Sequence, residues 1–259
     1  MHYSKTLKFA DKEYPQLLKQ IYNYPQKLFY RGDLKVLEKP SIAIVGTRRP
    51  TEYGEYMAEK IVKELSILDV NIVSGLAKGI DTIAHETALE CGLSTVAILG
   101  SGIENIYPPA NIELAKAIEE NGLVMSEFEG DIEPASFHFP MRNRIISGLS
   151  LATIVIEAPE KSGALITAKY ALDQGREIFV IPGDIEREQS LGALRLLQRG
   201  AAYPIASGHE VLEILKTQPY LFKENLAGNL VENRNTNRAV KSKKTKRAKT
   251  QIDHQISKQ

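Results

Sequence analysis

The sequence predicts an α/β fold, a mainly parallel sheet flanked by helices, and three observations carry the prediction. Short apolar runs, many of them β-branched, alternate with amphipathic stretches from Ile42 onward. Runs such as "TIVIEA" are almost continuously apolar, as strands covered on both faces are. The chain has 259 residues, 43% hydrophobic and 25% charged, which is enough apolar material for one large domain with appendages. Strands are read in order at 42–46 ("IAIVG"), 71–74 ("NIVS"), 94–99 ("STVAIL"), 124–126 ("VMS"), 152–157 ("ATIVIE"), 177–182 ("EIFVIP") and in "AAYPIA". Helices fill the gaps at about 52–68, 79–91, 111–121, 141–149, 163–174, 190–199 and 208–217. The alternation is that of a Rossmann-like sheet, and no repeat of fixed period competes with it.

Residues 1–40 differ in kind. "YPQLLKQIYNYPQKLFYRGDLKVL" is rich in Tyr and Pro and is expected to form a short helix and a hairpin-like connector, packed on the edge of the domain at 41–217. From 218 the chain turns polar and then lysine-rich, "NRNTNRAVKSKKTKRAKT", and is expected to be disordered. Nine of the 33 Lys and Arg residues, against two of the 32 Asp and Glu, fall at or after Val231. Beneath the net charge of +1 the body is therefore mildly acidic and the tail strongly basic. Any polyanion site on the body must be a local patch. The longest apolar stretches fall short of the roughly 20 residues of a membrane-spanning helix. The opening "MHYSKTLKFADKEYP" has no apolar core of a secretion signal, so a cytoplasmic location is expected. The single cysteine, Cys91, excludes an internal disulfide, and the five histidines show no zinc spacing, so neither a metal nor a cofactor is expected.

Ligands of open α/β sheets sit beyond the carboxyl ends of the strands, which directs attention to the loops there. The first is "GTRRPTEYG". A dinucleotide fingerprint starting at Gly46 needs glycines at 48 and 51, where Arg48 and Thr51 stand, so NAD binding by that loop is disfavoured. Arg48 and Arg49 beside a helix start could hold phosphates bidentately, with the helix N-terminus adding to them, or one could pair with a carboxylate such as Glu52. The second loop, "VSGLAKGID", offers Ser74, Gly75, the point charge of Lys78, and Gly79, and leads into a helix with Asp81 and His85 at i, i+4. Those two are read as a helix-start carboxylate and a locally bonded imidazole in preference to an acid–base pair. In "LGSGIENIYPPAN", Gly100 and Gly102 begin a glycine fingerprint that Asn105 does not complete. "PASFHFPMRNRIISGLS" interleaves Phe137, His138 and Phe139 with Arg142, Asn143 and Arg144. Rings that stack on bases next to cations that meet phosphates are what a single-stranded nucleic-acid site requires, and at least one of the two phenylalanines is expected to be buried. In "IEAPEKSGALITA", Ser162 and Gly163 could hold an anion at a helix start or simply cap it.

Taken together, "IVGTRRPTEYG", "VSGLAKGIDTIAH", "SGIENIYPPAN", "MSEFEG", "FPMRNRIISGLS" and "IEAPEKSGALITAKYALDQGREIFVIPG" resemble the DprA (Smf) family of DNA-processing proteins, in the same order, from about Tyr14 to about residue 215. The resemblance implies an extended Rossmann-like fold that binds single-stranded DNA without catalysis. It implies protection of incoming strands in natural transformation, loading of the RecA recombinase, and a homodimer. By that resemblance Arg48 is the principal phosphate-binding arginine. Lys78 and "FPMRNR" line the same pocket with Phe139 as the stacking ring, and Ser162, Gly163 and Thr167 form its remaining wall. The candidate DNA-binding set is Gly46, Arg48, Arg49, Ser74, Gly75, Lys78, Gly79, Phe139, Arg142, Asn143, Arg144, Ser162, Gly163 and Thr167. The chain departs from the family in reading "GALRLLQRGA", with Leu194 where Asn is usual, and in carrying a basic tail where many members have a winged-helix-like domain.

Two rival readings belong to other classes. One is a nucleoside monophosphate phosphoribohydrolase similar to the lysine decarboxylase-like family, whose "PGGxGTxxE" loop carries a working glutamate. Here "PEKSGALIT" puts Thr167 about where that carboxylate belongs, and threonine cannot do its chemistry. The other is a nucleotide-sensing module for one small ligand.

Overall fold

The computed structural model describes residues 4–216. The chain divides into Met1–Ile214 and Leu215–Gln259. The first unit is the body described below, and of the second only Leu215 and Lys216, at the end of the last helix, are described. The segment from 218 that the sequence assigns to a tail lies outside the described residues.

One sheet of nine strands runs through the body: β1 (Lys5–Lys8), β2 (Lys27–Gly32), β3 (Ser41–Val45), β4 (Asn71–Ser74), β5 (Thr95–Gly102), β6 (Leu123–Phe128), β7 (Ala152–Val155), β8 (Glu177–Val180) and β9 (Tyr203–Pro204). Their spatial order is β1-β2-β6-β5-β4-β3-β7-β8-β9. Neighbours from β6 to β9 pair in parallel, and β1 and β2 join antiparallel at the β6 side. Each parallel crossover needs a covering helix. Those helices are α2 (Glu52–Leu65), α3 (Ile80–Glu90), α4 (Ile112–Asn121), α5 (His138–Leu149), α6 (Gly163–Asp173) and α7 (Glu188–Gln198), with α1 (Gln16–Lys19) before them and α8 (Gly208–Lys216) after. β3, β4 and β7 are buried along their whole length, which is why they read as unbroken apolar runs.

From β3 the chain steps outward through β4, β5 and β6, then returns to lay β7 against the other side of β3, Val45 opposite Val155. The order reverses there, and the loops leaving β3 and β7 diverge to open a crevice.

The sequence expects only a short helix and a hairpin-like connector before 42, whereas the structure has two strands there, paired antiparallel with each other, and they extend the sheet. β2 pairs with β6, Phe29 opposite Ser126, a partner too distant along the chain for local pattern to reveal. Side chains tie this segment down: the Tyr14 hydroxyl donates to Pro25 O at 2.6 Å, and Arg176 Nη2 donates to Leu17 O at 3.1 Å. At the sheet's margins, β1 turns Leu7 inward and exposes Lys5 and Lys8 to some degree, while β9 has two residues, one of them Pro204. α5 begins about a turn earlier than its apolar pattern, taking in Phe139 and Pro140.

Candidate nucleic-acid interface

The loops after β3 and β7 meet the first turns of α5 and α6 around a pocket of about 520 Å³. Eight of the candidate residues line it. Gly46 and Arg48 come from the first loop, Phe139, Arg142 and Asn143 from α5, and Ser162, Gly163 and Thr167 from the start of α6. Arg49, Ser74, Gly75, Lys78, Gly79 and Arg144 are not on its wall. Lys161, Asp81 and Thr47 are, without having been in the candidate set.

Arg48 is exposed, and its guanidinium carbon lies 5.5 Å from the centroid of the Phe139 ring. It has no ion pair among the described residues. Phe139 is half-buried and also faces Tyr107, centroids 5.7 Å apart. Its ring rests on the backbone of β5: a Cβ at Gly100 would stand 2.7 Å from it. Gly100, half of an incomplete fingerprint in the sequence, is thus a glycine because an aromatic ring needs the space. Neither phenylalanine of "FHF" is buried, contrary to expectation. Phe137 is 63% exposed, and the buried ring is His138, 4.1 Å from Phe128. Arg49 is exposed, donates its backbone N–H to Thr47 Oγ1 and has no ion pair with Glu52.

Beneath this rim the polar groups are committed to one another. Arg142 is buried, donating from Nη1 to Gly75 O at 2.7 Å and to Ile98 O, and from Nε to Asn143 Oδ1 at 3.1 Å. Asn143 passes the chain on, donating from Nδ2 to Gly163 O at 3.1 Å. Asp81 accepts from the N–H groups of Gly75 and Ala77 at 3.0 and 3.4 Å. Burial lowers the Arg142 pKa to about 10, with Asp81 opposing the fall, so the guanidinium stays charged at neutral pH. Burial also pushes the Asp81 carboxyl up, while Arg142 and the two N–H groups pull it back. A Cβ on Gly75 would meet the guanidinium at 2.6 Å, so Gly75 makes room for Arg142 and leaves no face for a ligand.

Other candidates have fold roles. Ser74 Oγ donates to Ile44 O at 2.6 Å inside the sheet. Gly79, at φ +77°, passes so close to Thr47 O that a Cβ would lie 2.5 Å from it. Lys78 is exposed beside the pocket. Arg144 turns away: Nη2 pairs with Glu127 at 2.7 Å and Nε donates to Asn23 O at 2.8 Å, clamping the N-terminal segment. Residues two apart on a helix point to nearly opposite sides, a spacing that already separates Arg142 from Arg144 in the sequence. His85 Nδ1 lies 2.6 Å from Thr95 Oγ1, whose proton goes to Ile72 O, so the imidazole is the donor in that contact. Burial lowers its pKa to about 3. Asp81 and His85 are bonded to different partners and form no acid–base pair.

The start of α2 corrects a further expectation. Glu157, just past β7 and buried, accepts from Thr51 Oγ1 at 2.6 Å and from Thr51 N at 2.9 Å. Gly54 lacks a Cβ where that carboxylate passes, 2.2 Å from the position a Cβ would take. An internal anion already occupies the helix end that the sequence offered to phosphate. At α6 the Ser162 hydroxyl accepts from Ala164 N at 3.2 Å and caps the helix, while Gly163 faces open space on the pocket wall. On the pocket wall itself, the cations without an ion pair among the described residues and open to solvent are Arg48 and Lys161, with Lys78 and Arg49 exposed off the wall.

The model of the family described as DNA recombination-mediator protein A matches residues 5–216. The chain is 41% identical over 220 residues to DNA processing protein DprA of Bacillus subtilis, covering 85% of this chain and 74% of that protein. Among solved structures it is similar to DNA processing protein A of Streptococcus pneumoniae, with 44% identity, a TM-score of 0.78, and 81% and 73% of the two chains covered. It is also similar to DNA processing protein A of Helicobacter pylori, with 33% identity, a TM-score of 0.75, and 84% and 97% covered. That structure is described as giving insight into a unique single-stranded DNA binding mode.

Proposed function

The chain belongs to the DNA recombination-mediator protein A family, and on that premise we propose that it binds single-stranded DNA at the pocket between β3, β7, α5 and α6 without catalysing a reaction on it. The observation that carries the proposal is the placement of Arg48, exposed and without an ion pair among the described residues, 5.5 Å from the half-buried Phe139 ring at the pocket mouth. Phosphates meet Arg48 and Lys161 while one base stacks on Phe139. Because Arg142, Asn143 and Asp81 are bonded among themselves and to the backbone, few groups remain to read a base edge, and binding is largely independent of sequence. Asp81, the carboxylate on the wall, is held by two N–H groups beside a guanidinium, which supports a binding role over a hydrolytic one. Duplex DNA binds less well, since paired bases cannot reach the ring.

On the family resemblance, the role extends to protecting incoming strands during natural transformation and loading the RecA recombinase, by a homodimer in the cytoplasm. No helix among the described residues is long and apolar enough to cross a membrane. The deciding experiment is a titration of wild type and Arg48→Ala with dT oligomers and with duplex, across a salt series. The expected result is preference for the single strand, affinity falling with a slope of roughly 0.7 per phosphate contacted, and a loss of roughly tenfold or more in the variant. Equal binding of strand and duplex, or an unaffected Arg48→Ala, would overturn the assignment.

A further inference from the structure

Phe137 is left over from this account. A phenylalanine that is 63% exposed gains little from burial, and its position is not casual. The residues on either side of it in the pocket wall are Ser136 and Phe139, which puts its backbone on the pocket rim. Its ring stands edge-on against His138, centroids 4.4 Å apart and planes at 69°, and His138 is buried against Phe128. The ring is seated on a fixed support with most of its surface open to solvent.

We propose that Phe137 is a second nucleobase platform, taking a base of the same strand beyond the one on Phe139; the proposal rests on the single-strand reading of the pocket. Exposed apolar surface is present here, in Phe137, in Met141 and in Ile166 on the pocket wall, but the same pocket mouth carries the exposed cations Arg48 and Lys161, with Arg48 over the Phe139 ring, and rings with cations suit a strand alternating bases with phosphates. Phe137 is at the N-cap of α5, about 100° around the helix from Ser136 and off the pocket wall, so a strand gripped by Arg48 and stacked on Phe139 reaches it by turning past Ser136 over the helix start. The ring has no donor or acceptor, so it takes any base. The two platforms would set a minimum length: the full affinity needs a strand long enough to reach both.

The test uses the full chain with dT oligomers of increasing length, measured by fluorescence anisotropy for wild type, Phe137→Ala, Phe137→Trp, Phe137→Leu and Arg48→Ala. Phe137 is exposed, and unchanged circular dichroism checks that each variant is folded. Phe137→Ala is expected to weaken binding of long oligomers by roughly 5- to 150-fold, the range that stacking one base gives. It should cost much less on the shortest oligomer that Arg48 still holds. Trp is expected to keep the affinity and Leu to lose it. Wild-type affinity in Phe137→Ala, with Arg48→Ala weakened, overturns the second platform and leaves the pocket intact. Leu equal to Phe overturns stacking as its basis. A wild type that binds no single strand overturns both readings together.

Discussion

Arg142 and Arg48 share a pocket and a side-chain type, yet their surroundings divide their work. Arg142 is buried and donates to the carbonyls at the ends of β4 and β5, so truncating it leaves two acceptors bare and Asp81 beneath without its cation. Arg142→Ala is expected to lose about 3 kcal/mol of stability or more, at about 1–3 kcal/mol for each buried partner left unmatched. Arg48→Ala, with no ion pair to lose, should stay within about 0.5 kcal/mol. Urea unfolding of the two variants beside the binding titration separates the arginine of the fold from the arginine of the site. His85 supplies a pH prediction. Its folded pKa of about 3 lies below its unfolded value near 6.5, so its contribution is fully present above pH 6.5 and is lost as the unfolded chain takes up the proton below that. The loss runs at up to about 1.4 kcal/mol per pH unit down to about pH 3. Unfolding free energies of wild type and His85→Gln between pH 7 and 4 check it: the variant should show the shallower slope. At this scale residue type and loop position marked Arg48 and Phe139 in the sequence, and the family resemblance brought them together with Thr167 into one site. What it did not separate was a guanidinium facing a ligand from one facing carbonyls, because the Gly75 and Ile98 carbonyls that claim Arg142 lie far away along the chain.

Among the elements, α2 shows how neighbouring strands set the limits of a site. Its first turn is fastened to the end of β7 through Thr51 and Glu157, across the crevice where the sheet order reverses. Glu157→Ala is expected to cost about 1–3 kcal/mol by removing the acceptor of two partly buried Thr51 donors and the side chain that fills the space beside Gly54. Gly54→Ala should be at least as harmful in wild type but milder in the Glu157→Ala background, since the clash is with that carboxylate. A thermal-denaturation double-mutant cycle reads the coupling. The crossover helices and central strands were legible because a period of 3.6 and near-continuous burial mark them locally. β1 and β2 were not: four and six residues long, they owe their strand conformation to β6, whose pairing becomes visible only in the folded chain. The start of α5 was missed because Pro140 reads as a helix-start proline with the helix beginning just after it, whereas the helix already takes in His138 and Phe139.

For the whole molecule, the mildly acidic body sets the exposed cations Arg48 and Lys161 at the pocket mouth, while nine basic residues lie at or after Val231. A chain ending at 228 is expected to keep its preference for single strands but to bind more weakly and with a shallower salt dependence, read from the slope of log affinity against log salt. An unchanged slope would assign all phosphate contacts to the body. The margins of the sheet carry one more consequence. β1 is four residues flanked by lysines, and β9 is two residues with a proline that has no N–H to offer. Such borders give a second chain little backbone to zip onto. Copies that come together, whether as working assemblies or crowded side by side on a strand, would do so through helices and loops, and the sheet resists growing into an unending ribbon.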